Sequence, residues 1–201
     1  MHAEIDVPDG DTFVHSGDFT TLGQVAEVKA FGKWLAALPH ERKIVITGNH
    51  DFLLEEDPST ATRCLGPSVD YLFDSGIEID GISFWRSPWT AWFHDWAFNL
   101  QRGKVLREKW SRIPERVDVL VTHRPPYSIL NRTKNKSNEG NDALRDRVND
   151  NLTEALPLLQ LTVSHHPKIL REASLCHVGT SRTLGVLSLT AAGGTLLGDH
   201  C

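Results

Sequence analysis

The sequence predicts an α/β fold, and the evidence is a set of short apolar runs that each end in polar residues. Residues 12–15, 44–46 and 117–121 have the length and β-branched character of buried strands. Between the first two lies a pattern of apolar residues with three- and four-residue spacing, which is typical of a βαβ unit with parallel strands. In α/β proteins, ligand sites lie at the carboxyl ends of such strands.

The composition indicates one globular domain and excludes several classes of protein. The chain has 201 residues, 40% apolar and 23% charged, so we expect a single domain over residues 1–201. The net charge is −5 and there is no lysine or arginine run, which argues against general nucleic-acid binding. No apolar stretch has the length of a bilayer span and no secretory signal pattern is present, so we expect no membrane association.

The three cysteines, Cys64, Cys176 and Cys201, are odd in number and show no Cys-x-x-Cys pairing. This argues against a disulfide framework and a thiolate zinc site, and for a reducing compartment. We therefore expect a cytoplasmic protein.

The first third of the chain contains one clear helix. Residues 1–11 are expected to be a loop that leads into the first strand. Because a domain rarely opens in this way, we expect a segment upstream of residue 1. Thr21 and Gln24 have capping-box spacing, and the apolar positions of residues 22–38 lie on one helical face that Pro39 ends.

The remaining elements are weaker predictions. Residues 87–99 contain five aromatics without a period and are expected to form a loop packed on itself. We expect a polar, mobile tract at residues 131–141. Leu144, Val148, Leu152 and Leu156 form one helical face that Pro157 ends. We predict further helices at 60–65 and 104–113, strands at 71–73, 77–79, 82–85 and 158–164 with an Asp80-Gly81 hairpin turn, and one or two strands in 184–197.

The predicted strands at 12–15, 44–46 and 117–121 are each followed by side chains with oxygen or imidazole donor atoms. Divalent first-row metals prefer such ligands. In a two-metal site, two divalent ions hold a phosphate ester and lower the pKa of the water that bridges them. A nearby acid then protonates the leaving oxygen of the ester. Asp18 is the candidate bridging carboxylate and His50 the candidate acid. The other candidate ligands are Asn49, His123 and His165.

Each residue also has a simpler interpretation. Asp18 alone is typical of a loop acid near a helix dipole, and Asn49 and His50 are typical of a turn. His123 alone is typical of a histidine with satisfied hydrogen bonds before a proline turn. The sequence at residues 165–166 fits a pair of surface histidines as well as it fits a metal ligand. The coincidence of several strand ends with ligand-type residues favours the metal site.

Several short motifs in the sequence resemble those of a known family. Gly17-Asp18, Gly48-Asn49-His50 and Thr122-His123 resemble the successive motifs of calcineurin-like metallophosphoesterases. Residues 14–20, 87–89, 96–99, 108–110 and 113–115 resemble the branch called metallophosphoesterase-domain-containing (MPPED) proteins. The match is continuous over residues 2–126 and patchy beyond, so we expect the domain to diverge from the family after about residue 142.

The resemblance implies a four-layer α/β/β/α sandwich of two mixed sheets, with two divalent ions (Mn, Fe or Zn) between sheet edges. It implies hydrolysis of phosphodiesters, including cyclic nucleotides. By motif position, Asp18 bridges the ions, and Asn49, His123 and His165 belong to the second ion. His50 is the catalytic histidine. We assign contacts with a phosphate-ester or nucleotide substrate to Arg124 and His94.

Three departures from the family pattern qualify these expectations. The Asp-x-His motif on the family's first strand would precede residue 1, so we expect that strand to be missing. The late Gly-His-x-His motif is replaced by Ser164-His165-His166-Pro167, which leaves either histidine as the ligand. Arg124 stands where the branch usually has glycine, and the alternative for it is a solvent-directed loop side chain. The first ion then keeps only Asp18.

Three hypotheses follow. The first is a phosphodiesterase-type enzyme with an impaired first metal site. The second is a weak or inactive module that binds a nucleotide or phosphate through Arg124 and the 89–96 loop. The third is a truncated chain with an exposed sheet edge that does not fold stably. The oligomeric state is not predicted.

Overall fold

The structure, a computed structural model, describes residues 7, 9–71, 73–115, 117, 119–124, 126, 141–151, 155–158, 161–164, 173–178 and 184–189, with side chains up to residue 148. Two five-stranded mixed sheets form the centre of the fold. Among the described residues, no helix has the length and apolar character needed to cross a bilayer.

The first sheet has the strand order β11-β12-β1-β2-β3. Its members are β1 (Thr12–His15), β2 (Arg42–Val45), β3 (Asp70–Tyr71), β11 (Ala173–Val178) and β12 (Leu184–Leu189). Strands β1, β2 and β3 run parallel, as the βαβ pattern predicts. On its other side β1 pairs antiparallel with β12.

The second sheet has the order β4-β5-β8-β10-β9. Its members are β4 (Ser75–Ile79), β5 (Ile82–Ser87), β8 (Val119–Thr122), β9 (Ala155–Leu158) and β10 (Leu161–Ser164). The expected turn at Asp80-Gly81 joins β4 to β5, and both turn residues have positive φ angles. Strand β5 pairs parallel with β8.

Five helices surround the sheets in the described part of the chain. They are α1 (Val25–Ala37), α2 (Phe52–Glu56), α3 (Pro58–Leu65), α4 (Lys104–Trp110) and α5 (Asp142–Asn151). Helix α2 was not predicted, because five residues are too short to show a helical period.

Three apolar clusters show how the layers stack. One joins α1 and α3 to the outer face of the first sheet, where Phe13 and Val45 point. The second lies between the sheets and includes Val14 and Ile44. The third joins Leu120 of β8 to α4 and α5. Successive strand residues point to opposite faces, so both sheets are buried on both sides. This is the α/β/β/α sandwich implied by the resemblance.

Helix α1 begins later than its apolar pattern predicts. The capping box uses Gln24 as the N-cap and Glu27 as its partner, so the expected Thr21–Gln24 box is wrong. The Glu27 carboxylate also accepts hydrogen bonds from the backbone N–H groups of Thr21 and Leu22. The segment before the helix is therefore a loop held by a helical side chain.

The predicted long helix that ends at Pro157 is also wrong at its carboxyl end. Helix α5 ends at Asn151, and Leu156 lies in strand β9. Strand β9 pairs only with β10 in this sheet, so Pro157 occupies an edge strand, where a missing N–H is tolerated. Residues four apart in sequence fit a helix, but pairing with β10 decides the conformation.

The aromatic segment 87–99, expected to be a loop, contains regular structure. Strand β6 (Thr90–Ala91) pairs parallel with β7 (Asn99–Leu100). The Asn99 side chain fixes the intervening turn, because its Nδ2 donates to the carbonyls of Phe93 and His94 at 3.3 and 2.8 Å. Residues 131–140, which were expected to be mobile, lie outside the described residues.

Candidate metal centre

The turn after β1 brings a carboxylate to the gap between the sheets. Gly17 and Asp18 both have positive φ angles, 99° and 60°. A Cβ on residue 17 would lie 2.4 Å from the backbone nitrogen of Gly48, so only glycine fits at this close approach. The turn therefore places Asp18 directly against the turn that follows β2.

The turn after β2 leaves an opening at Gly48. A Cβ at this residue would lie 2.3 Å from Asp18 Oδ1 and 2.5 Å from His123 Cε1. Any side chain would therefore occupy the space in which the Asp18 carboxylate and the His123 imidazole meet. Gly48 therefore keeps open a space between the two sheets, which we call the cradle. Asp18 follows a strand of the first sheet and His123 follows a strand of the second.

Asp18, Asn49 and His123 converge at this cradle. His123 Nε2 lies 2.9 Å from Asn49 Oδ1 and 3.5 Å from Asp18 Oδ1. All three side chains are buried, with His123 2% exposed. Residues separated by up to 105 positions in sequence thus present donor atoms to a single point.

The protonation of His123 shows that this point suits a cation. Its Nδ1 lies 2.9 Å from the carbonyl oxygen of Ser16, which only accepts, so the proton is on Nδ1. Burial lowers the pKa of the imidazole, although the Asp18 charge acts in the opposite direction, so the neutral form is favoured. Nε2 then offers a lone pair beside two oxygen acceptors, an arrangement that a divalent ion stabilises.

Within the described residues, the side chains at the cradle supply too few ligands to complete the coordination of one ion. No group of three or more His, Cys, Asp or Glu side chains in this part of the chain is placed to hold a metal. The amide oxygen of Asn49 supplies the third donor. His165 and His166, the expected fourth ligand and its alternative, lie outside the described residues.

Asp51 is the residue that sequence reasoning missed. Its buried carboxylate accepts hydrogen bonds from the N–H groups of Asp18 and Gly48, at 2.9 and 2.7 Å, and from the N–H and hydroxyl of Thr20. It therefore ties the turn after β1 to the turn after β2. Burial, and then the Asp18 charge, raise the pKa of Asp51 to about 7, and the donated hydrogen bonds oppose this. Its position directly after Gly48-Asn49-His50 was the available signal.

His50 lies beside the cradle with its ring fixed on two sides. Its backbone N–H donates to Asp18 Oδ1 at 3.0 Å, and its Nδ1 donates to the carbonyl of Thr21 at 3.1 Å. The ring also packs on Trp96, with centroids 4.2 Å apart. Because Nδ1 is engaged, Nε2 is the nitrogen available for proton exchange.

Arg124 and His94, the residues assigned to substrate, lie in different surroundings. Arg124 Nη2 is 3.4 Å from Asn49 Oδ1, so the guanidinium lies against the candidate metal ligands and not in an open loop. His94 is exposed on the loop between β6 and β7, with its ring 4.2 Å from that of Phe93. The structure therefore brings Arg124 to the site and places His94 on the surface.

Comparisons with known proteins identify the family to which the chain is similar. A profile of the calcineurin-like phosphoesterase family matches residues 2–157. The chain is 41% identical over 148 residues to Metallophosphoesterase domain-containing protein 1 of Homo sapiens, and equally to that of Mus musculus, over 63% of this chain and 45% of each relative. It is 37% identical over 134 residues to a UPF0046 protein of Caenorhabditis elegans, over 60% of this chain and 47% of that protein.

The chain thus spans about half the length of the curated relatives it matches. The predicted resemblance, including the metallophosphoesterase-domain-containing branch, is confirmed by these matches. Proteins of this family generally use divalent metal ions and act on phosphate esters, and the two sheet-end turns, the cradle at Gly48 and the cluster of Asp18, Asn49 and His123 lie within the matched residues. The chain belongs to the calcineurin-like phosphoesterase family.

Proposed function

We propose that this chain is a metal-dependent phosphodiesterase-type hydrolase whose first metal site is impaired. The observation that supports it is the convergence of three acceptor atoms, Asp18 Oδ1, Asn49 Oδ1 and His123 Nε2, at a cradle that a single Cβ would fill. His50 lies next to this cradle and bonds to Asp18 through its backbone.

Asp18, Asn49 and His123 would hold one divalent ion, with His165 as the fourth ligand. When bound, such an ion neutralises phosphate charge and lowers the pKa of a water nucleophile. Asp51 holds the Asp18 and Gly48 backbone in place for this role, because its Oδ2 accepts hydrogen bonds from the N–H groups of both residues. The first metal site is taken to be impaired because Pro167 stands where the late family motif has its second histidine.

His50 would protonate the leaving oxygen of the ester. The Thr21 carbonyl holds its Nδ1 proton, so the proton transferred is that of Nε2. The Trp96 ring limits rotation of the imidazole. Arg124 would donate to a phosphate oxygen, since its guanidinium reaches the rim of the cradle and offers only donors.

The test is hydrolysis of bis-p-nitrophenyl phosphate with and without Mn²⁺. Activity should require the ion, disappear in Asp18→Asn, and fall by about 10²–10⁴-fold in His50→Gln. Asp57→Asn is the matched control, because Asp57 is an exposed helix cap that contacts none of the candidate site residues named here. Equal rates with and without metal in the wild-type protein would contradict the proposal.

A second candidate function is a binding module for a nucleotide or phosphate, and the position of Arg124 favours it. A fixed guanidinium beside Asn49 holds a phosphate without activating water. In that case Arg124→Gln should weaken binding of a nucleoside monophosphate by about 1.5–3 kcal/mol without increasing hydrolysis. Arg107→Gln, on the exposed face of α4, is the control. Binding without turnover would select this function over the first.

We further propose a phosphate-ester or nucleotide as the partner and the cytoplasm as the compartment. The free thiol of Cys64 supports a reducing environment. Fractionation of cells that express the tagged full-length protein tests the compartment.

A further inference from the structure

The aromatic segment is fastened to the turn that carries His50. The backbone N–H of Ala97 donates to the carbonyl of Asn49 at 3.1 Å. The next N–H along the chain, that of Phe98, donates to Glu55 Oε1 at 3.0 Å. Asn49 precedes His50 and Glu55 follows it in helix α2. The two hydrogen bonds therefore hold the segment to the chain on both sides of His50 in the sequence.

Trp96 is the residue through which this segment reaches the imidazole. Its ring centroid lies 4.2 Å from that of His50, with the two planes inclined by 54°, and 6.0 Å from that of Phe52. On another side of the imidazole, Nδ1 donates to the carbonyl of Thr21 at 3.1 Å. The imidazole is therefore confined between a backbone carbonyl and an indole.

The backbone of the segment adopts costly conformations that specific contacts maintain. His94 and Phe98 have φ angles of 54° and 56°, in the left-handed region that bulky side chains disfavour. The Asn99 side chain holds the first by donating to the His94 carbonyl at 2.8 Å, and Glu55 holds the second through the Phe98 N–H. Such conformations persist only where the surroundings fix them, and they cluster at functional sites. The segment is therefore held in one conformation beside His50.

The orientation of the imidazole matters for acid catalysis, because the proton must lie within hydrogen-bond reach of the oxygen that receives it. The backbone of His50 is fixed, since its N–H donates to Asp18 Oδ1 at 3.0 Å. The ring can still turn about the Cβ–Cγ bond, whose rotation has two broad minima. A half-turn would move Nδ1 away from the Thr21 carbonyl and exchange the positions of Nε2 and Cε1. One hydrogen bond restrains this turn only modestly, so packing by Trp96 supplies the second restraint.

We propose that Trp96 and Glu55 are positioning residues for His50. Trp96 packs on the imidazole and keeps its Nδ1 proton on the Thr21 carbonyl, so that Nε2 serves the leaving oxygen. Glu55 acts one step further away, because it holds the Phe98 backbone, and with it Trp96, against the turn. The proposal rests on the proposed function for the role of His50, but the fixed imidazole is a property of the folded chain and is measurable without substrate.

The first measurement is the tautomer of His50, by NMR of the ¹⁵N-labelled chain at alkaline pH in EDTA. Correlations between ring protons and ring nitrogens show which nitrogen carries the proton, and His50→Gln identifies the signals. The wild-type chain should carry the proton on Nδ1 alone. Trp96→Leu should show both tautomers, whereas Trp96→Phe, which keeps an aromatic face on the imidazole, should retain the single one. Trp92→Leu, at a 51% exposed position of the same segment, is the matched control and should change nothing.

The same measurement tests Glu55. Glu55→Ala removes the acceptor of the Phe98 N–H and should also give both tautomers. Glu55→Gln keeps a side-chain oxygen at this position and should restore the single tautomer. Glu56→Ala is the matched control, because Glu56 is an exposed neighbour on α2. Glu55 is itself exposed, so this pair of variants remains informative if Trp96→Leu does not fold.

The second measurement is a double-mutant cycle on hydrolysis of bis-p-nitrophenyl phosphate. Trp96→Leu should lower kcat by about 10- to 100-fold with KM unchanged, the scale expected for a misplaced catalytic group. In the His50→Gln background the same change should have no further effect, because Trp96 acts through the imidazole.

Two tautomers in the wild-type chain, a single tautomer that survives both Trp96→Leu and Glu55→Ala, or additive losses in the cycle would overturn the proposal. A chain whose single tautomer depends on Trp96 and Glu55 but which does not hydrolyse esters supports the positioning role. That result contradicts only the proposed hydrolase.

Discussion

At the scale of single residues, the candidate metal centre depends on residues that fix the positions of the candidate ligands. Gly17 and Gly48 allow two turns to meet at distances that no side chain permits. Asp51 Oδ2 then accepts hydrogen bonds from both turns, at Asp18 and Gly48, and its Oδ1 accepts from the N–H of Thr20. The ligating groups and the groups that position them are therefore distinct, and both sets are buried.

Asp51→Asn should lower the free energy of unfolding by about 2–3 kcal/mol, because an NH₂ group would face donors that now meet an oxygen. The same change should weaken Mn²⁺ binding, since the Asp18 and Gly48 backbone would move apart. Urea unfolding and calorimetry measure the two effects, with Asp95→Asn, at an exposed position, as the control. An unchanged denaturation midpoint would show that Asp51 does not hold the turns together.

At the scale of elements, polar side chains fix where segments start and how loops pack. Asp57 caps α3 by accepting from the Thr60 N–H at 3.0 Å. Asp74 holds the start of the aromatic segment, with its Oδ1 accepting from the Ser87 hydroxyl and its Oδ2 accepting from Trp89 Nε1, both at 2.7 Å. Lys109 of α4 completes the group, lying 3.3 Å from Asp74 and 4.0 Å from the Trp89 ring centroid.

The Asp57 cap should make part of the stability depend on pH. Hydrogen bonds from the side chain and then the backbone of Thr60 lower the pKa of Asp57 to about 2. A lowered pKa means that the stabilisation is present above the unfolded value near 4 and is lost as the pH falls towards 2. The difference in melting temperature between wild-type and Asp57→Ala should therefore be larger at pH 5 than at pH 2.5. A difference that does not change with pH would contradict the charged cap.

Asp74→Ala should lower the free energy of unfolding by about 2–4 kcal/mol, because it leaves Lys109 and the Trp89 N–H without their acceptor. The Asp74 side chain is only 6% exposed, so water does not readily replace it. Asp95→Ala, at an exposed position within the aromatic segment 87–99, is the matched control. Equal denaturation midpoints for the two variants would remove Asp74 from this role.

At the scale of the whole molecule, the candidate metal centre forms where two sheets face each other. Asp18 and Asn49 follow strands of the first sheet, and His123 follows a strand of the second. Arg86 of β5 also crosses between the sheets and donates from Nη1 to the Asp70 carbonyl at 2.6 Å. Its Nε and Nη2 have no partner within the described part of the chain, and burial lowers its pKa to about 10.

Arg86→Met should change the free energy of unfolding by less than about 1 kcal/mol or raise it, because a buried guanidinium with unused donors carries a desolvation cost that a thioether does not. Arg86→Ala removes the same charge but leaves a cavity, and should cost about 2–5 kcal/mol. Chemical denaturation of both variants separates charge from packing. Equal, large losses would show that the Asp70 contact is essential.

Metal binding should stabilise the whole chain with one tight site. Asp18, Asn49 and His123 are proposed to hold one ion, so calorimetry should find one Mn²⁺ bound more tightly than any second. At a free concentration of 100 times Kd, the ion should add about 2.7 kcal/mol of stability, and EDTA should reverse the gain. Asp18→Asn should abolish it. Two equally tight ions per chain would mean that further ligands contribute.

The sequence by itself determined the βαβ unit, because the buried strands β1 and β2 and the apolar face of the helix between them depend on local periodicity. It also indicated Asp18, Asn49 and His123 as candidates, since each follows such a strand. Only the tertiary structure decided that Leu156 lies in an edge strand, that Asp51 joins two turns, and that Arg124 lies against Asn49. These features depend on contacts between residues far apart in sequence, which local patterns do not encode.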